Sequence, residues 1–420
     1  MSSTWKELSN KVDAYIVCST QNQMINYIPY KIFQKKDREN LTLYNITYKH
    51  ETTRFTNKKW DENLQNLLNE GKIVYKNIEL DREFNQDKYV QKFRDKMQFQ
   101  EGKVYIWNIT GGQRSVILTI LNFLERGQLE GEHAIIYLEG NTNQIICKLP
   151  DSNKWQEVED YSSLNHNINI ETALALANFS IAKTKEKADT NLTIFEDILG
   201  LYCKDDNLVE LFCQINKDVK DNSVEGIHEE FLQIISNSLE RDKDEIESEL
   251  KKFVPGENTN YAGYYLECMA YVALDQAIKN INKKRDFFVD EVYSNVYVKN
   301  EGIENNTKDN RNMFCEFDLA IMTKGGQVVI FECKSGRMDS ENAKSRNYTA
   351  YAVGGVYGKP ILITPLTAKQ LKDKKLDKEI YGHIKSTIKA ARRAGLEYWG
   401  IDEIETGLSN LFFGTGGKES

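Results

Sequence analysis

The sequence predicts two α/β domains joined by a helical segment. Three observations carry this. Residues 1–150 alternate short apolar runs with amphipathic stretches, the rhythm of a parallel sheet with crossover helices. Across residues 151–257 the strand signals fade and apolar spacings move towards 3.6. Residues 258–420 return to alternation, in the order α-β-β-β-α-β. A chain of 420 residues also exceeds one ordinary core.

The elements follow in order. AYIVCS (14–19), LTLYNI (41–46), KIVYKNI (72–78), KVYIWNI (103–109) and HAIIYLE (133–139) read as strands. Segments 57–70, 84–98 and 113–126 between them have helical spacing. GNTN joins 133–139 to 144–149 as a terminal hairpin. ETALALANFSIAK, LTIFEDILGLYC, DNLVELFCQINK and the long IHEEFLQIISNSLERDKDEIESELKKF fill the connector, which VPGENTN (254–260) ends with Pro and Gly. The last domain opens with the helix YAGYYLECMAYVALDQAIKN. FFVDEVYSNVYVKN follows as a strand region, then a hairpin over 315–336, a helix, the strand KPILITP and basic helices.

Composition limits the function classes. With 40% apolar and 28% charged residues, the chain has the make-up of a globular protein. It lacks any run of about 18 apolar residues, so no membrane-spanning helix is expected. MSSTWKELSNKVD lacks the apolar centre of a signal peptide, and cytoplasmic residence is expected. Seven cysteines without a C-x-x-C pair argue against zinc and against a disulfide framework. A net charge of −8 argues against constitutive, non-specific nucleic-acid binding. The charge is uneven, however: Thr367 to Gly395 holds nine Lys or Arg against three Asp or Glu. That segment reads either as a solvated helical face or as a surface for phosphates.

A first candidate site lies where a strand runs into Thr110, Gly111, Gly112, Gln113 and Arg114 and then a helix. Paired glycines let backbone approach a ligand, and a helix N-terminus favours phosphate. Arg114 adds a permanent cation. Ser19, Thr20, Gln21 and Asn22, after the first strand, belong to the same sheet edge, where open α/β sheets bind ligands. Neither a G-x-G-x-x-G nor a P-loop signature is present.

A second candidate site is the hairpin CEFDLAIMTKGGQVVIFECKSG. Glu332 and Lys334 are two apart and share a face of one strand. A three-residue Lys-Gly-Gly loop with Thr323 opposite Gln327 places Asp318 opposite Glu332. A two-residue Gly-Gly turn would send Asp318 to the other face, so the three-residue loop is predicted. Two adjacent carboxylates repel, and a hard divalent cation, Mg²⁺ or Mn²⁺, relieves this while binding substrate phosphate. The carbonyl of Cys333 is a further candidate ligand. Glu267 on the preceding helix is a candidate third carboxylate, and Glu316 flanks the set. Lys334 would orient water or neutralise developing charge.

Glu267, Asp318, Glu332 and Lys334, in the order acid, D-x(n)-E-x-K, resemble the PD-(D/E)XK nuclease superfamily. Phe317-Asp318 stands where that family has Pro-Asp. NITGGQR after the fourth strand is similar to the CRISPR-associated Rossmann fold (CARF), which usually reads T-G-G-T-K. The combination resembles the ancillary nucleases of type III CRISPR systems. The resemblance implies a Rossmann-like CARF sensor over 1–150, a mainly helical connector over 151–257 and a restriction-endonuclease-like nuclease over 258–420. It implies a homodimer that binds cyclic oligoadenylate, with cyclic tetra-adenylate the expected form, through Ser19, Thr20, Gln21, Asn22 and Thr110 to Arg114. It further implies catalytic Glu267, Asp318, Glu332 and Lys334, with metal on Asp318, Glu332 and Cys333, cutting single-stranded RNA and DNA with little sequence preference in antiviral defence. Rival readings are a double-stranded DNA nickase, or a restriction- or repair-type nuclease without nucleotide control. A regulator that holds DNA without cutting it and a nicotinamide enzyme fit less well.

Overall fold

A computed structural model describes residues 4–34, 41–49, 58–69, 73–126, 129–139, 144–150, 152–160, 168–184, 192–215, 223–254, 261–300, 313–354, 358–373 and 375–414. The chain divides into two compact units. The first is built on residues 1–180 with 300–312 and the loop 323–327, the second on residues 181–299, 313–322 and 328–420.

In the first unit α1 (Trp5–Lys11) leads into β1 (Ala14–Cys18) and α2 (Met24–Gln34). Then come β2 (Thr42–Tyr48), α3 (Lys58–Asn69), β3 (Val74–Leu80), α4 (Gln86–Met97), β4 (Val104–Asn108) and α5 (Arg114–Arg126). The unit closes with β5 (Glu132–Glu139), β6 (Gln144–Lys148), β7 (Trp155–Asp160) and α6 (Ile170–Leu176). The strand order is β3-β2-β1-β4-β5-β6-β7, parallel through β5 and antiparallel beyond. Order reverses between β1 and β4, which makes their C-terminal ends the switch point. The 133–139 and 144–149 pair does form an antiparallel ladder. It is not terminal, because β7 adds to it: Trp155 to Asp160 was too polar to be read as a strand. One face of the sheet buries Ile16, Tyr44, Ile78 and Trp107 against Phe93 and Phe123 of α4 and α5.

The second unit starts with β8 (Phe179–Thr184), most of which belongs to it. The helices α7 (Thr193–Tyr202), α8 (Asp206–Ile215), α9 (Ser223–Leu239), α10 (Lys243–Lys251) and α11 (Tyr261–Lys284) follow. Next are β9 (Tyr293–Asn300), β10 (Met313–Met322), β11 (Val328–Cys333), α12 (Ser340–Gly354) and β12 (Lys359–Thr364). It ends with α13 (Ala368–Lys372), α14 (Lys378–Ala394), β13 (Glu397–Gly400), a short 3₁₀ turn and α15 (Ile404–Phe413). The sheet order is β13-β12-β11-β10-β9-β8.

The segment 151–257, expected as a connector, is shared between the units. β7 and α6 lie in the first, and α7 to α10 form one apolar core with α11 and the second sheet. Phe195, Phe212, Phe231 and Leu266 are all fully buried there. The buried Tyr202 hydroxyl donates to the carbonyl of Pro365 at 2.7 Å. Helical periodicity reveals which face of a helix is apolar but not which core receives it.

The other face of the second sheet carries Leu362 and packs on α12 and α14 through Ala343, Ala390, Ala391 and Leu396. Thr387 of α14 ties down the loop that follows β11. Its hydroxyl donates to the carbonyl of Gly336 at 2.8 Å and accepts the N–H of Met338 at 2.8 Å. The isosteric change Thr387→Val strands both partners and is expected to cost about 2–3 kcal/mol. Urea unfolding of the full chain measures this; a loss below about 0.5 kcal/mol would show that water replaces the clamp.

Candidate active site and ligand cleft

The hairpin has the predicted loop. Leu319 to Met322 pair with Phe331 to Val328, so Asp318 falls opposite Glu332. Thr323 N–H donates to the carbonyl of Gln327, the Gln327 N–H to the Thr323 hydroxyl, and the Gly326 N–H to the Thr323 carbonyl. Gly326 sits at φ +81°, where a side chain would be strained. Asp318 Oδ2 accepts the Cys333 N–H at 2.7 Å, crossing the hairpin.

Glu332 points to the face covered by α12 and α14 and is only 4% exposed. Lys334 Nζ lies 2.7 Å from Oε1, and Arg346 Nε of α12 lies 3.0 Å from Oε2. Neither oxygen takes a well-aligned hydrogen bond. Without those two cations a carboxylate this buried would be costly to hold. Arg346 also donates from Nη1 to the carbonyl of Glu316 at 2.7 Å.

Burial, then the charge of Glu332, pushes the Asp318 carboxyl up to about 8, with Glu267 adding to the rise. Glu267 of α11 therefore acts on the pair at a distance. Among the described residues no three His, Cys, Asp or Glu side chains converge closely enough to hold a metal by themselves. Burial works against the Lys334 ammonium, but Glu332 and Asp318 outweigh it, and its pKa stands above the ordinary lysine value. Lys334 thus keeps its proton near neutrality. The Tyr297 hydroxyl hydrogen-bonds the side chain of Glu316, its cross-strand neighbour.

The donor chemistry fits a hard cation. Two hairpin carboxylates face each other, and Glu332 has buried oxygens that lack aligned donors. Asp318 and Glu332 would be the side chains to hold Mg²⁺ or Mn²⁺.

In the first unit, Ser19, Thr20, Gln21, Gly112 and Gln113 line one cleft of about 210 Å³. The Ser19 hydroxyl is buried there without a hydrogen-bond partner. The remaining predicted residues do not line it. Thr110 Oγ1 donates to Asn108 Oδ1 at 2.5 Å and accepts the Leu138 N–H at 2.9 Å, so it braces the turn. Asn22 Oδ1 accepts the Met24 N–H at the start of α2. A Cβ on Gly111 would lie 2.7 Å from Ile25 and 2.9 Å from Thr20, and one on Gly112, at φ +100°, 2.4 Å from Cys18. The glycines let the β4–α5 turn lie directly on the end of β1. Arg114 is exposed at the start of α5.

Sequence reasoning missed Thr47, Tyr48 and Trp60, which complete the cleft. The neighbouring position of β2, once strand order is known, would have pointed to the first two. Beneath lies a buried polar network. Asn108 Nδ2 donates to Tyr15, Asn26 and the Ile25 carbonyl, Asn26 to Gln23, and Gln23 and Thr47 to Asp61.

Neither a protein-family model nor a curated protein sequence matches the chain. Solved structures do. Protein VC1899 from Vibrio cholerae matches with TM-score 0.62 at 15% identity, over 96% of this chain and 99% of that one. Can2 from Sulfobacillus thermosulfidooxidans, determined in complex with cyclic tetra-adenylate, matches with TM-score 0.56 at 13% identity, over 96% and 98%. This chain shares their fold. Both units are α/β, the first with the Rossmann-like parallel order β3-β2-β1-β4-β5 and the second with a six-stranded mixed sheet.

The shifted acid makes a stability prediction. Below pH 3.8 Asp318 is protonated folded and unfolded, at no cost. Between 3.8 and about 8 the unfolded chain ionises while the folded carboxyl keeps its proton, so its contribution is lost as pH rises. Asp318→Asn, which retains an oxygen for the Cys333 N–H, is expected to raise Tm by several degrees at pH 8 and hardly at pH 4. Calorimetry at the two pH values checks it; equal shifts would remove the electrostatic cause.

Proposed function

We propose that this protein is a cyclic-oligoadenylate-activated, metal-dependent nuclease that cleaves single-stranded RNA and DNA with little sequence preference in type III CRISPR defence. The observation that carries the reading is the buried Asp318–Glu332 pair with the Lys334 side chain 2.7 Å from Glu332. Fold likeness along nearly the whole of Can2, a protein solved with cyclic tetra-adenylate, supports the nucleotide control.

Mg²⁺ or Mn²⁺, when bound, supplies Lewis-acid charge at phosphate and a more acidic water. The chain's own residues do the rest. Asp318 and Glu332 would hold the ion, with the Cys333 carbonyl a further ligand, and Glu267 adds negative charge from α11. Lys334 presents its ammonium to the charge that develops on phosphate oxygens. The basic segment contributes a surface. Lys378, Lys385, Lys389, Arg392 and Arg393 recur at helical spacing along one stripe of α14. Part of the segment is engaged locally: Lys369 pairs with Asp206, and Arg392 lies on the Tyr398 ring. Exposed Lys378, Lys389 and Arg393 face solvent. Tyr348 and Tyr351 of α12, 70% and 55% exposed, offer faces on which unpaired bases stack, which favours single strands.

In the first unit Ser19, Thr20, Gln21, Gly112 and Gln113 contact the cyclic ligand, and Arg114 takes a phosphate at the cleft mouth. Asn22, Thr110 and Gly111 shape the turns that present them. A two-fold symmetric ring suits a homodimer in which each copy gives the same half-site. Preferential binding of the ligand to the active arrangement then shifts the population.

The test uses full-length protein, Mn²⁺ and labelled single- and double-stranded RNA and DNA, with and without cyclic tetra-adenylate. Ligand-dependent degradation of single strands is expected. Nicking of duplex DNA alone, or cleavage indifferent to the ligand, would select one of the rival nucleases. Glu332→Ala should abolish cleavage, by at least about 10³-fold. Arg114→Ala should lose activation while its melting curve stays that of the parent. Full activation of that variant would sink the sensor assignment.

Metal binding should also follow pH. Because Asp318 must lose its proton to become a ligand, Mn²⁺ affinity is expected to fall about tenfold per unit as pH drops below about 8. Titration calorimetry from pH 6 to 9 measures this, and a flat profile would show that Asp318 is already ionised when the metal binds.

A further inference from the structure

Glu332 carries one negative charge and meets two cations. Lys334, two residues along the same strand, belongs to the acid-and-lysine set already described. Arg346 does not. It comes from α12, its Nε is 3.0 Å from Glu332 Oε2, and its Nη1 is 2.7 Å from the Glu316 carbonyl. Its side chain is 31% exposed while Glu332 is 4% exposed. The guanidinium thus reaches from the buried carboxylate towards solvent.

A carboxylate already matched by an ammonium gains no charge balance from a second cation. With Lys334 on Oε1 and Arg346 on Oε2, both Glu332 oxygens are already engaged by cations, so Mg²⁺ or Mn²⁺ has to compete with Arg346 for this carboxylate. A guanidinium is also the side chain best suited to phosphate, because its planar fork meets two oxygens at once.

We propose that Arg346 is a substrate-phosphate ligand that guards Glu332 until nucleic acid arrives. Resting on the nuclease reading above, this assigns Arg346 two alternative partners, the Glu332 carboxylate and a non-bridging oxygen of the substrate. When phosphate takes the guanidinium, Glu332 is freed for the metal. Substrate and metal therefore bind with positive coupling, and by linkage each strengthens the other equally.

Calorimetry with the full-length protein and Mn²⁺ tests it, using wild type, Arg346→Gln and Arg346→Lys, with Glu332→Ala as the control for site occupancy. Arg346→Gln is expected to bind Mn²⁺ about tenfold more tightly than wild type in the absence of nucleic acid. A non-cleavable phosphorothioate single strand should tighten Mn²⁺ binding to wild type by about tenfold and leave Arg346→Gln almost unchanged. Cyclic-tetra-adenylate-stimulated turnover of Arg346→Gln should drop at least about tenfold with a raised KM, since a phosphate contact is lost. Arg346→Lys keeps the charge without the fork, so its Mn²⁺ affinity should stay near wild type while KM rises. This variant carries the test should Arg346→Gln fail to fold.

Unchanged or weaker Mn²⁺ binding by Arg346→Gln overturns the proposal and leaves Arg346 a purely structural support of Glu332. So does a wild-type KM in both variants. The underlying reading fails separately: wild type that binds no Mn²⁺, or binds it no better than Glu332→Ala, ends the metal-nuclease assignment itself.

Discussion

Everything in the second unit depends on the placement of two carboxylates across one hairpin. Asp318 and Glu332 meet only because three residues, Lys324, Gly325 and Gly326, close the loop between Thr323 and Gln327. Strand side chains alternate, so a slip of one residue would turn Asp318 to the opposite face. The Thr323 hydroxyl, the left-handed Gly326 and the cross-hairpin bond from Cys333 N–H to Asp318 all hold the same register. β12 secures β11 on its other side, where Lys334 N–H donates to the Ile363 carbonyl. The surrounding helices then supply the low-polarity walls that make the carboxylates expensive and chemically useful.

The first unit solves a different problem. Its cleft needs backbone at close range, and the two turns at the switch point lie against each other too tightly for any Cβ on Gly111 or Gly112. That closeness draws polar side chains underneath, and they satisfy one another. The chain of bonds from Asn108 through Asn26 and Gln23 to Asp61 and Thr47 joins β4, α2, α3 and β2. A fully paired network of this kind fixes a unique arrangement, since losing one member leaves the next buried and unsatisfied. The unpartnered Ser19 hydroxyl stands apart from it, at the cleft.

Much of the fold was legible because its signals are local. The alternation of strand and helix in 1–150 needs only periodicity. The hairpin register needed one further step, the parity argument that puts Asp318 and Glu332 on a common face. Non-local facts were harder. α7 to α10 read as a connector, since nothing within a helix says which sheet it will cover. Thr110 looked like a ligand residue, yet its hydroxyl braces β5, a partner 28 residues away. Arg346 was missed for a specific reason. The buried face of α12 is filled by Ala343, Thr349, Ala350 and Val353, mostly small residues that leave no strong apolar stripe in SENAKSRNYTAYAVG. Without that stripe the inward direction of Arg346 is invisible.

Charge then connects the two levels of description. A chain with a net charge of −8 repels nucleic acid at long range, while the centre around Glu332 holds two cations at short range. These opposite signs act over different distances. On the proposed nuclease reading, the overall charge keeps resting affinity low outside a Debye length, and inside it the α14 stripe and the site cations would act directly on the nearest phosphates. A strand brought close enough to feel them meets a guanidinium that has another partner available in place of its carboxylate. On the proposed exchange the buried acid, costly when alone, would be left alone in neither state, and the change of partner would link the presence of substrate to the readiness of the site.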